Sequence, residues 1–235
     1  MLESEPLDND DNLRNQFRFQ LILGIIAIPL LIVSAISSVF YVSYIGWSDY
    51  WDVGYFFFLI YYPTWLTGSV LALVGSIAII KRNGSNFAWI LVAVYASGWV
   101  WQIVYIHVIF PWFASLEGID LGFVLSVILN TYTYSSIVAS LYAWWSIHDS
   151  VAYRPIYFSY LTIFSLQGLI SYLISGALFG FSGHSVYGPE EMLVYRIPSL
   201  VPTLLLHVIL LLFFVSQLKD SRKIRLIEED MIGVR

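Results

Sequence analysis

The chain has 235 residues, of which 59% are hydrophobic and 11% charged. Soluble domains carry about a quarter charged residues, so a soluble globular protein is excluded. The net charge of −5 says little about partners, because the acids lie almost entirely outside the apolar runs, and no basic stripe suits nucleic acid. The absence of cysteine excludes disulfide scaffolds, thiolate metal sites and cysteine nucleophiles.

Residues 1–15 are acidic and polar without apolar periodicity, which predicts a flexible cytoplasmic tail. The first apolar run starts too late and is too long for a secretory signal, and it lacks a small-residue cleavage pattern. Six apolar segments follow, at 17–45, 53–80, 87–113, 121–147, 156–181 and 194–218. Each is long enough for a helix to cross ~30 Å of hydrocarbon. The period-two alternation of an outer-membrane barrel is absent, which leaves helices as the way to satisfy the backbone in lipid. Nine Trp and seventeen Tyr suit two membrane–water interfaces.

Charge orients the segments. Arg14 and Arg18 precede the first, Lys81 and Arg82 link the second to the third, and Arg154 links the fourth to the fifth. Lys219, Arg222, Lys223 and Arg225 follow the sixth, and Arg196 is the only basic residue on the other side. The opposite loops carry Asp49, Asp52, Glu117, Asp120, Glu190 and Glu191. The expected fold is therefore an all-α bundle of six transmembrane helices over 16–218, with both termini cytoplasmic and a cytoplasmic tail at 219–235.

The third segment carries Gln102 and His107 without any Asp, Glu, Lys or Arg. Five residues apart, the two side chains point in different directions on a helix. Gln102 lies on the side of Tyr95 and Trp99, so neighbours are expected on more than one side. By segment position, Gln102, Gln167 and His207 fall near mid-membrane, and His107 and Asn130 nearer the outer side. Such groups cost a few kcal/mol if left unpaired in lipid, on the order given by transfer data. Pro63 and Pro202, with Pro198, interrupt the outer halves of segments two and six, and broken helices border cavities. Gln102, His107, Asn130, Gln167, His207, Pro63 and Pro202 are therefore the candidate lining of an intramembrane pocket, against helix–helix hydrogen bonds that only fix packing.

No motif defines a catalytic residue, a metal site or a cofactor. No segment has a charge in its central part, which argues against a pump or proton antiporter but not against a facilitator for a neutral solute. His107 and His207 differ in depth by about 7 Å of helical rise, a poor fit to axial haem ligation. His184 with Glu190 and Glu191 is one ligand short of a metal site. The run Gly180 to His184, GFSGH, resembles the Gly-x-Ser-Gly nucleophile motif of rhomboid intramembrane proteases, but Ser182 falls in an outer loop and His207 lies too deep to meet it. From Trp101 to Leu218 the layout resembles the sterol-isomerase and sigma-2-receptor group. The shared elements are Ile106 and His107 before Trp112 and Phe113, Gln167 in the next-to-last helix, a Gly-His outer loop and an inside C-terminus. The acids such enzymes use beside that His are missing, so the resemblance implies at most a lipid-binding cavity.

The expectation is a protein of the lipid bilayer that either binds a neutral or lipophilic small molecule or serves as an accessory subunit beside other membrane subunits. The alternatives are a membrane-embedded lipid enzyme or haem-type electron-transfer subunit using His107 and His207, and a facilitator for a neutral solute.

Overall fold

A computed structural model describes residues 7–44, 48–104, 121–179 and 188–233. Among them the regular structure is wholly helical. The helices are α1 (Leu7–Tyr44), α2 (Trp51–Arg82), α3 (Ala88–Val104), α4 (Leu121–Trp145), α5 (Arg154–Phe179) and α6 (Pro189–Gly233), with a single 3-10 turn at Ser48–Tyr50 before α2. Four stretches are long and apolar enough to cross a membrane by length and composition: Asn12–Tyr44, Ser48–Arg82, Arg154–Leu178 and Pro189–Ser221. α3 is a shorter apolar helix; the rest of the expected third segment, 105–113 with His107, lies outside the described residues.

Helix α1 starts at Leu7, inside the stretch expected as a tail, and α6 runs past the apolar stretch to Gly233. Lipid solubility marks where an apolar run ends. Helix ends obey a different rule, since acids in a first turn complement the helix dipole and let it begin in polar sequence. Glu190 and Glu191 do this for α6. At the far end of α2 the stop is local. Gly84 adopts φ 78°, and the amides of Asn83, Gly84 and Ser85 turn back onto the carbonyls of Ile79, Lys81 and Ile80.

Each helix packs on the next in sequence, and α6 closes the ring against α1. The most extensive interface is the α1–α2 hairpin. Its closeness comes from small residues: Gly68, Ala72 and Gly75 form a buried stripe on α2, and Gly24 and Ala27 answer on α1. A Cβ built on Gly75 would lie 2.9 Å from the Gly24 Cα and 3.2 Å from the Phe214 ring of α6. Three helices therefore meet at this point with no room for a methyl group.

The hydrophobic core is concentrated at one end. Leu21, Ile79, Ile80, Leu91, Trp144, Ile147, Tyr157, Phe213 and Phe214 are buried together. They come from the first half of α1, the early turns of α3 and α5, the last turn of α2, the end of α4 and the turn after it, and the middle of α6, toward the side that carries Arg14, Lys81, Arg82 and Arg154. Trp144, Tyr157 and Tyr160 surround the Phe213 ring at centroid distances of 5.8, 5.8 and 6.5 Å. The Tyr157 hydroxyl donates to the Trp144 carbonyl in the last turn of α4, which also accepts from the Ile147 amide at 3.2 Å. Toward the opposite end the helices separate and polar groups line the space between them.

Candidate functional site

That space is a cavity of about 390 Å³ bounded by α1, α2, α3 and α6. Its polar lining arises from spacing. Ser199, Thr203 and His207 stand four residues apart and so share one face of α6; Tyr61, Trp65 and Ser69 do the same on α2, and Ser34 and Ser38 on α1. Tyr95 of α3 closes the wall.

The hydrogen bonds decide what the wall offers. His207 Nδ1 is 2.6 Å from the Thr203 carbonyl. A carbonyl only accepts, so Nδ1 carries the proton and the Nε2 of the neutral ring is left as an acceptor. The hydroxyls of Ser38, Ser199 and Thr203 donate to the carbonyls of Ala35, Arg196 and Ser199, at 2.8, 2.7 and 2.9 Å. Their protons are thus used within their own helices, and their lone pairs remain. Four groups on the wall are therefore acceptors, and among the described residues no Asp, Glu, Lys or Arg side chain lines it. Tyr61 and Tyr95 supply hydroxyls that can donate.

A second cavity of about 290 Å³ lies on the other side of Trp65, Ser69 and Tyr95, between these residues and Tyr132, Ser136, Ser140 and Tyr160 of α4 and α5. The dividing wall is tied. Trp99 Nε1 donates to Ser69 Oγ at 2.9 Å, and Gln102 Nε2 donates to the Tyr61 hydroxyl at 3.3 Å. On the other flank of α3, Ser97 meets the Tyr132 hydroxyl at 3.0 Å and Trp101 stacks on the Tyr132 ring at 5.6 Å. The third helix thus has polar contacts on two sides, through Gln102 and Trp99 on one and Ser97 on the other.

The expected site residues divide. His207 lines the first cavity, and Gln102 borders it through Tyr61. Pro202 is buried in α6 on the same turn as Thr203, whereas Pro63 is exposed on α2. Asn130 is exposed on α4 and Gln167 is half-buried on α5, and neither lines either cavity. His107, Ser182 and His184 lie outside the described residues. His148, in the turn after α4, stacks on Trp145 at 4.7 Å and sits 3.2 Å from Asp149. Among the described residues no group of three or more His, Asp or Glu is placed to hold a metal ion. The hydroxyl stripes of α1, α2 and α6 are the part of the site that single-residue reading passes over; their signal is the four-residue spacing of Ser, Thr, Tyr and His within apolar sequence.

No family model matches the chain, and neither a curated protein nor a solved structure matches it.

Proposed function

We propose that the chain is a six-span membrane protein with both termini cytoplasmic, and that it holds one neutral, lipophilic molecule bearing a hydrogen-bond donor. The observation that carries this reading is the cavity whose described lining holds no charged side chain and includes His207, Ser38, Ser199 and Thr203, each with acceptor capacity left over. A charged ligand would leave water without a counter-charge there, at a cost of several kcal/mol by the usual penalty for burial. A hydroxyl, amide or secondary amine on an apolar body meets the acceptors without that cost.

Native mass spectrometry of the protein extracted gently from its own membrane tests the reading. One discrete bound mass of a donor-bearing molecule is expected, and its occupancy falls in His207→Phe, which fills the acceptor position with an apolar ring. A ligand-free chain, or a bound mass equally retained by His207→Phe, refutes it.

A second reading, an accessory subunit of a membrane complex, is favoured by α5. Only 11% of its most apolar window is buried within the chain, and Leu166, Leu169, Tyr172 and Leu173 are exposed along it. Co-purifying subunits that detach when Leu169 and Leu173 are both changed to Ala would support this reading; a lone chain would remove it.

A further inference from the structure

At the basic end of the molecule a groove of about 690 Å³ opens between α1, α2 and the lower part of α6. Arg14, Lys81 and Arg82 stand at its rim, and Gln20, Phe17 and Ile77 line it further in. By helical rise, Gln20 is ~9 Å along α1 from Arg14, and Ile77 is ~6 Å along α2 from Lys81. Cations thus occupy one level, and Phe17 and Ile77 with the Gln20 amide the next. The Arg82 guanidinium is held 4.5 Å over the Phe17 ring, which fixes its position at the mouth. Asp220 lies close enough to act on the Arg82 charge, so the cluster at the mouth is not without a nearby acid. Arg18 stands just behind, where it donates to the Ser221 carbonyl at 3.2 Å and joins α1 to α6.

We infer that this groove binds the phosphate of an anionic phospholipid, with the headgroup among Arg14, Lys81 and Arg82 and an acyl chain against Phe17 and Ile77. Charge complementarity favours an anion, and the apolar wall immediately below favours one with a hydrocarbon tail over a free ion. The inference rests on α1 and α2 crossing a membrane but not on any ligand in the inner cavity.

The test is a titration of the purified full chain in neutral detergent with phosphatidylglycerol or phosphatidylcholine, read by native mass spectrometry. One phosphatidylglycerol is expected to bind ahead of phosphatidylcholine. Lys81→Gln, an exposed position that leaves the packing untouched, weakens it about fivefold, as expected for one cation worth ~1 kcal/mol at a lipid surface. Lys219→Gln, exposed at the same end but outside the groove, leaves it unchanged. Equal binding of the two lipids, or equal losses in the two variants, overturns the site. Displacement of the lipid by inorganic phosphate alone overturns the lipid assignment in favour of a soluble phosphate. Recovery of the chain in the soluble fraction would instead sink the membrane reading itself, which the titration does not address.

Discussion

Gly75→Ala is the substitution most directly determined by the backbone. The added methyl would lie 2.9 Å from the Gly24 Cα and 3.2 Å from two carbons of the Phe214 ring. Relaxed carbon–carbon contacts are ~3.5–4.0 Å, so α1 and α2 must part by roughly 0.6–1 Å at their crossing. No rotamer change relieves a contact with Cα. Overpacking of this kind costs about 1–3 kcal/mol, and the cost is net of a helix-propensity gain near 1 kcal/mol only if the helices yield easily. Gly168→Ala makes the same chemical change on α5 with no atom within 4 Å of the new methyl. It keeps the propensity gain and nothing else. The two variants should therefore move apart by about 2 kcal/mol or more, Gly75→Ala destabilised and Gly168→Ala neutral or slightly stabilised. Denaturant unfolding in one detergent, followed by tryptophan fluorescence, measures both. Gly24→Ala meets the same Phe214 ring at 3.1 Å, so the double variant should cost less than the sum, since the helices part only once. A Gly75→Ala protein as stable as Gly168→Ala would refute the close approach.

Tyr157→Phe removes the donor to the Trp144 carbonyl without changing the ring packing on Phe213, and should lower unfolding stability by about 1 kcal/mol in the same assay; no loss would mean the hydroxyl finds water instead. Because the chain has no cysteine, single cysteines can report sidedness without background. Under the six-span proposal, Ser48→Cys reacts with an impermeant maleimide on intact cells, and Asp149→Cys reacts only after permeabilisation. Both positions are exposed, so labelling from one and the same side would defeat that topology.

Apolar length read from the sequence locates the helices well where lipid sets the boundary. The segments expected at 53–80 and 121–147 lie within two residues of α2 and α4 at each end. It does less well at the ends of α1 and α6, where backbone hydrogen bonding carries the helix through polar sequence, with Glu190 and Glu191 in the first turn of α6. At the site, the polar residues at depth were visible one by one, but their company was not. Asn130 and His207 read alike as buried polar groups, yet one is exposed on α4 and the other lines the cavity, because helical periodicity does not name the neighbouring helix. Two patterns were present and would have narrowed the choice. The Gly68, Ala72 and Gly75 stripe marks the face of α2 that α1 approaches. The Ser199, Thr203 and His207 series marks a polar face of α6.

Helix α6 joins the two ends of the molecule. From His207, on the inner cavity, to Ser221, on the basic groove, it contains neither proline nor glycine over ~21 Å of rise. Pro198 and Pro202 both precede His207, so any bend falls alongside the cavity and none in the stretch that follows it. Below it the helix is a shaft. Under the two proposals, a shift imposed at the imidazole would reach the Arg18–Ser221 junction along a helix without a proline or glycine between them. Occupancy of either end would thus be felt at the other, and a change in phosphatidylglycerol affinity on filling the cavity is its measurable sign.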